Sequence, residues 1–420
     1  MIPSVCCQTV AEAKPGKTSL SLGAVFRRYG ADYIRSHRPP PSHLKAMLAI
    51  ESCRTPMLGG RLDRCDQCDH EVLAWNSCND RHCPTCDSTK RSRWLEERRA
   101  ELLPVPYFHV VFTLDHGLNF LVGYNQKLIY DLLFAAATQT LQQFARNVGG
   151  MLGITAILHT WTQQLKRHVH LHCLVPAGML SLDGSRWIPL EKGVGSKKQA
   201  FLFPVHALSL VFREKFLAGL ARAEVADQVV WPQDSSSKSQ KLDMKGLVQR
   251  LRKHKWVVYT KRPLGGPDPV LRYLGRYAYR VAISNERIKD IANGNVTFEY
   301  KERNRDNRVA TVTVTANDFI ERFLLHVVPR QYRRIRHYGL FASRNKKKNI
   351  ARCFELIVGT LPPSKPDKTS ARDLMLKLTG IDIDICPHCK KGALRTVRNL
   401  DPIPVLHTRQ ALTTEAQDSS

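Results

Sequence analysis

Three histidines at alternate positions, His168, His170 and His172 in LKRHVHLHCLVPAG, form the group in this chain most suited to hold a divalent cation. On an extended strand residues i and i+2 face the same way, so His170 and His172 can reach one ion while Leu171 packs behind them. Neutral imidazole is a ready metal ligand near neutral pH. His168 shares that face, and His159 stands on what reads as the neighbouring strand, so either can supply a third ligand. A second pair with chemistry is Tyr273 and Tyr277 in RYLGRYAYR; four residues apart, they share one face of a helix. A phenol oxygen beside a cation that polarises a phosphate is a nucleophile for phosphoryl transfer, attacking phosphorus to leave a covalent phosphotyrosine. An unperturbed tyrosine titrates at about pH 10, so the cation must assist it. Each pattern alone also suits a packed core; together, in a very basic chain, they point to one reaction.

The cysteines announce a different kind of site. Cys65 and Cys68 in CDQC and Cys83 and Cys86 in CPTC offer two sulfurs per knuckle, the spacing of a four-thiolate tetrahedral zinc site, with Cys78, His70 and His82 crowding the same loop. Such a closed site is structural: it folds a small module and presents the basic helix that follows. Cys386 and Cys389 in CPHC make only half a site, for which Cys353 and His407 are candidate partners.

The 420 residues allow two or three domains and a buried catalytic core. With 64 Lys and Arg against 37 Asp and Glu, the formal charge of +27 concentrates polyanions, so nucleic acid is the first partner to expect. No apolar run of about 18 residues and no secretory leader pattern is present, which predicts a soluble, cytoplasmic, non-membrane protein. Twelve cysteines in a reducing compartment argue for metal ligation over disulfides.

These side chains need elements to position them. YFHVVFTL (107–114) reads as a buried strand, NQKLIYDLLFAAATQTLQQFARNV as a helix, and GITAILHTW and HVHLHCLVPAG as two strands joined by a short turn. Asp183-Gly184 signals a hairpin, 207–227 a helix, QDSSSKSQK a polar break, and WVVYTK (256–261) a further strand. GGPDPVLRYLGRYAYRVAISNERI opens with turn residues and continues as the tyrosine helix, and NVTFEYKER with RVATVTVTAND reads as a hairpin. Strand, helix and strand pair in that order predict an α+β sheet domain.

The strings HLHCLVPAG, CRTPMLGGRLDRCDQCDHE, NSCNDRHCPTC, RAELLPVPYFHVVFTL, GGPDPVLRYLGRYAYRVAISN and DFIERFLLHVVPRQYRRIRHYGL closely resemble the two-tyrosine rolling-circle transposases of the insertion sequence 91 family, over residues 22–390. The resemblance implies a nuclease core of the His-hydrophobic-His (HUH) type, a ferredoxin- or RRM-like antiparallel sheet with helices, behind an N-terminal zinc-binding module. Its domains would be a tail (1–20), a helical zinc-binding domain (21–103), the catalytic domain (104–330), a basic region carrying CPHC (331–395) and a second tail (396–420). It also implies Mg²⁺- or Mn²⁺-dependent nicking and joining of single-stranded or hairpin element ends through 5′-phosphotyrosine. His170 and His172 would be metal ligands and Tyr273 and Tyr277 nucleophiles; the resemblance leaves the third ligand open, and strand alternation puts His168 in that place. The family pattern has His where this chain has Tyr279, which leaves the order of tyrosine use open.

Arg91 and Arg93 on the basic helix, and Arg330, Arg333, Arg334, Arg336, Lys346 and Lys347 further on, are expected to contact DNA phosphates. Tyr332, His337, Tyr338 and Phe341 interleave rings suited to base stacking. A replication initiator or relaxase would share this active site, and a zinc-dependent DNA-binding regulator descended from a transposase would share the modules without the reaction.

Overall fold

The computed structural model of the chain describes residues 20–190, 202–232, 243–277, 281–302, 306–364 and 369–403. Five segments form one antiparallel sheet: β1 (Tyr107–Thr113), β2 (Gly153–Trp161), β3 (Arg167–Pro176), β4 (Val258–Leu264) and β5 (Ile335–Gly339), in the order β5-β2-β3-β1-β4. The strand bearing the alternate histidines is therefore the central one.

Alternation along β3 sorts its side chains onto two faces. Val169, Leu171, Cys173 and Val175 join Phe108, Val110 and Phe112 of β1 in a core closed by Phe134 and Leu141 of helix Gln126–Asn147 and by Phe212 and Phe216 of helix Val205–Val225. Burying a Leu or Phe contributes roughly 1.5–3 kcal/mol, so this layer holds β3 in register: a slip of one residue would turn its histidines into the apolar layer. On the other face Leu174 and Ile157 pack against Val270 and Leu274 of helix Pro267–Tyr277. Gly266 at φ +99°, Pro267 in the first turn and Asp268 behind it set the start of that helix. The basic helix Asp87–Arg99 lies beside it, with Arg99 paired to Asp268 at 3.0 Å. The contact is close enough that a Cβ on Gly275 would come 2.9 Å from a methyl of Leu95.

A second core joins helices Leu22–His37, Pro41–Ser52 and Ala316–Leu324 to the hairpin Asn295–Glu302/Arg308–Thr315, with Cys53, Cys83 and Cys86 at its border. A third sheet pairs Gly60–Cys65 with Glu71–Trp75 on one side and with Leu394–Leu400 on the other.

The mixed α and β elements and antiparallel sheets agree with the sequence reading, as do the four elements between 107 and 176. Several strands were not expected, among them Gly60–Cys65 and Glu71–Trp75 in the cysteine-rich module and Ile288–Ala292, which begins where the sequence reads as a helix continuing through Ile288. β5 lies inside the segment read as a DNA-contacting basic run, and residues 396–400, assigned to the tail, finish a strand on the zinc module. The polar break at 233–241 and Tyr279 lie outside the described residues. No helix among the described residues is long and apolar enough to cross a membrane.

Candidate active site and cysteine clusters

On the histidine-bearing face of the sheet, His159 of β2 stands opposite His170 of β3 in the antiparallel register. His159, His170 and His172 are all buried, and their ring nitrogens lie within 4.8 Å of one another. His170 Nδ1 donates to the backbone carbonyl of His168 at 2.9 Å. A carbonyl only accepts, so Nδ1 carries the proton and Nε2 keeps its lone pair, the form a metal ligand requires. Three imidazoles, His170 with its tautomer so fixed, fit a divalent cation of borderline softness; Mn²⁺ suits them better than Mg²⁺, which prefers oxygen and gives up its waters reluctantly.

Here the sequence reading needs correction. His168 is not part of the set: its Nδ1 lies 2.8 Å from His116 Nε2, at the mouth of the groove. His159 joins the group because the register sets it directly across from His170, whereas His168 lies one step further along β3, toward the start of that strand.

Tyr273 approaches the same cluster. Its hydroxyl is 2.9 Å from His172 Nδ1 and 2.6 Å from Nε2 of His109, a β1 residue that sequence reasoning missed. His109 Nε2 is itself 2.8 Å from His172 Nδ1. Burial, with smaller contributions from Lys261 and His170, pushes the His109 pKa down to about 3, so its ring is neutral. Its only sequence signal was a polar residue inside an otherwise apolar strand. Tyr277 ends the same helix one turn on, with its side chain outside the described residues.

A groove of about 1560 Å³ opens over the cluster, lined by His109, His159, His170 and His172 at its floor. Lys166, Lys255, Lys261 and Lys301 are exposed along its walls, with Tyr259 half exposed among them. None of these was singled out from the sequence.

The basic residues that were singled out fare differently. Arg330, Arg333 and Lys347 are exposed, while Arg91 and Arg93 lie on helix Asp87–Arg99 with side chains outside the described residues. Arg336 is committed to the fold: it lies over the rings of Phe134 (4.3 Å) and Tyr332 (4.8 Å) and bonds Asp131 at 2.6 Å. Lys346 is paired with Glu101, and Arg334 reaches the carbonyl of Arg81 at 3.4 Å. Tyr332 and Phe341 are buried in cores and His337 bonds Thr155 at 3.1 Å, so these three rings are not a stacking surface, while Tyr338 is half-buried. Charge density in the sequence did not distinguish cations facing water from cations folded inward.

The cysteines form two clusters, neither of them the expected one. Cys53, Cys78, Cys83 and Cys86 gather in one place, and Cys65, Cys68, Cys386 and Cys389 in another. Four sulfurs about 2.3 Å from a tetrahedral ion stand roughly 3.8 Å apart. The separations of 3.4 Å (Cys53 to Cys86) and 3.6 Å (Cys78 to Cys86) in the first cluster match that size. The backbone N–H of Asp80 donates to Cys78 Sγ at 3.4 Å, as at thiolate ligands. His82 is not a ligand: Nδ1 bonds Asp80 at 2.9 Å, and Nε2 accepts the N–H of Val328 at 3.4 Å. Cys353 is buried away from both clusters among Leu340, Ile350 and Phe354, and His407 lies outside the described residues. Arg81, beside the first cluster, bonds the carbonyls of Val328, Pro329 and Tyr332, tying that loop to the segment leading into β5.

Residues 153–349 match a family described as "Putative transposase", and residues 25–114 match the "Transposase zinc-binding domain" of insertion sequence 91 elements. The chain is 42% identical over 387 residues to "Putative transposase y4qJ" of Sinorhizobium fredii, covering 90% of this chain and 95% of that protein. It is 26% identical over 318 residues to "Transposase for insertion sequence element IS801" of Pseudomonas savastanoi pv. phaseolicola, covering 75% of this chain and 74% of that one. No solved structure matches the chain. The first of these regions spans β2, β3, the tyrosine helix and β5; the second contains the whole of the first cysteine cluster.

Proposed function

The chain belongs to the insertion sequence 91 family of transposases, with a zinc-binding domain of that family's type, and from this premise we propose that it is an HUH-type enzyme that nicks and rejoins single-stranded DNA through a tyrosine. One observation carries the reading. The Tyr273 hydroxyl lies 2.9 Å from His172, and His172 shares a donor set with His159 and His170.

A divalent cation held by His159, His170 and His172 would draw negative charge from the scissile phosphate and lower the cost of attack. The protein's own residues do the rest. Nδ1–H of His172 donates to the Tyr273 oxygen and fixes its direction, while neutral His109 accepts the phenolic proton at Nε2. Tyr273 Oη then bonds phosphorus and the P–O3′ bond breaks; the proton taken by His109, whose low pKa makes it a ready donor, passes to the leaving oxygen, giving a 3′-hydroxyl and a 5′-phosphotyrosine. The reverse step, attack of a 3′-hydroxyl on that ester, joins strands without an external energy source. Tyr277, one turn on in the same helix, would hold a second strand in the same way during rolling-circle transposition.

Lys166, Lys255, Lys261 and Lys301 would neutralise phosphates on either side of the cleaved one, and Tyr259 offers a ring for stacking. The chain's charge of +27 supplies the long-range attraction. The test is to incubate the full chain with single-stranded and duplex forms of its element ends, with Mn²⁺ or with chelator. The expected result is nicking of the single strand, dependent on metal, with protein retained on the 5′-phosphate of the downstream fragment. Clean double-strand cuts with free ends would overturn the mechanism.

A further inference from the structure

The CPHC knuckle near the end of the described chain belongs to neither matched family region, yet it is built into a site. Cys65 Sγ lies 3.7 Å from Cys389 Sγ, and Cys68 Sγ 3.7 Å from Cys386 Sγ, close to the roughly 3.8 Å edge of a tetrahedral thiolate site. The two knuckles are near copies of each other. In each, the N–H of the first cysteine bonds a carbonyl beyond the second, Cys65 to His70 at 3.0 Å and Cys386 to Gly392 at 2.8 Å. In each, the residue after the second cysteine turns left-handed, Asp69 at φ 53° and Lys390 at φ 58°.

Backbone N–H groups also point at sulfur: Gln67 donates to Cys65 at 3.4 Å and Gly392 to Cys389 at 3.3 Å. Such bonds stabilise thiolate over thiol. Gly392 is required by the fit, since a Cβ there would come 2.4 Å from Cys65 Sγ. Around the sulfurs, Asp66 and Ala393 exchange two hydrogen bonds, of 3.0 and 2.8 Å, and strand Leu394–Leu400 continues the pairing along Gly60–Cys65. His70 and His388 stack with centroids 5.0 Å apart, roofing the cluster.

We infer that Cys65, Cys68, Cys386 and Cys389 bind a second zinc ion, separate from that of Cys53, Cys78, Cys83 and Cys86, which clasps the C-terminal segment to the N-terminal module. The four thiolates and the closed arrangement make it a structural site. Its effect is to close a loop that contains the entire catalytic sheet, so the orientation of the N-terminal module depends on residues beyond 380.

Metal content of the full chain, measured by plasma mass spectrometry, tests this directly. Two zinc ions per chain are expected. Cys386→Ser with Cys389→Ser should leave one, Cys65→Ser with Cys68→Ser should leave one, and all four substitutions together should still leave one, because both knuckles serve the same ion. A wild-type content of one, no loss in the Cys386/Cys389 variant, or loss of two ions from the fourfold variant would overturn the inference. Exchange of the native metal for Co²⁺ in the unsubstituted chain removes any dependence on variant folding: two equivalents with an all-thiolate tetrahedral spectrum are expected, and one equivalent, or iron in the purified protein, refutes the second zinc.

Discussion

Replacing His159 separates the donor set described above from the one the sequence suggested. Its ring is 4% exposed, stacked on Trp161 at 4.9 Å, and its nitrogen lies within 4.8 Å of those of His170 and His172. His168 instead bonds His116 at 2.8 Å. Losing even an outer-shell partner typically costs a metal site about 10- to 100-fold in affinity, and losing one of three direct ligands should cost at least as much. That corresponds to about 1.4 to 2.8 kcal/mol or more. His159→Gln, which keeps the volume beside Trp161, should therefore shift the Mn²⁺ concentration for half-maximal nicking upward by at least about tenfold. His168→Gln should leave that midpoint within about threefold, since it removes no direct ligand. The assay is nicking of a labelled single strand across a Mn²⁺ titration, with zinc content and circular dichroism confirming an intact fold. A large shift for His168→Gln with none for His159→Gln would refute the reasoning.

Other consequences follow from the packing. His326 is buried, bonds Thr160 and the carbonyl of Leu165, and has its pKa pushed down to about 4 by burial. Its unfolded value is about 6.5, so below that pH the unfolded chain takes up a proton that the folded chain refuses, costing about 2 kcal/mol at pH 5. Urea melts should show stability falling from pH 6.5 toward 4, with a shallower fall in His326→Gln; an unchanged slope would count against this histidine. Arg336→Ala should lower stability by about 2–3 kcal/mol through loss of the ring contacts and the Asp131 pair while leaving the salt dependence of DNA binding unaltered; a changed salt slope would return Arg336 to the DNA surface. Lys255→Ala with Lys261→Ala should flatten the dependence of log affinity on log salt by about 1.4 for a single strand, measured by fluorescence anisotropy. An unchanged slope would mean that DNA takes another path.

What could be read from the sequence, and what could not, follows from the range of the interactions. His170 and His172 were legible as a pair because strand alternation is local, and a predicted neighbouring strand made His159 a candidate whose place opposite His170 only the register reveals. His109 was not: it meets His172 and Tyr273 only once β1, β3 and the tyrosine helix have assembled, and nothing within its own segment encodes that meeting. The cysteine spacing showed that each knuckle offers two sulfurs but not which knuckles share an ion. Nearness in sequence favoured Cys65/Cys68 with Cys83/Cys86, whereas the fold brings Cys386 and Cys389 from the far end of the chain. The arginines around position 333 looked alike as letters. Asp131 and Phe134, on a distant helix, turn Arg336 inward while Arg333 stays exposed.

The central claim is that the oxygen of Tyr273 is the attacking atom. A single-stranded oligonucleotide carrying the element end, designed so that the released upstream fragment with its 3′-hydroxyl diffuses away, traps the covalent complex; digestion and mass spectrometry then locate the nucleotide on the peptide. Linkage at Tyr273, lost in Tyr273→Phe, is the predicted result. Linkage to Tyr277 alone, linkage outside helix Pro267–Tyr277, or efficient nicking with no protein-bound strand would contradict it.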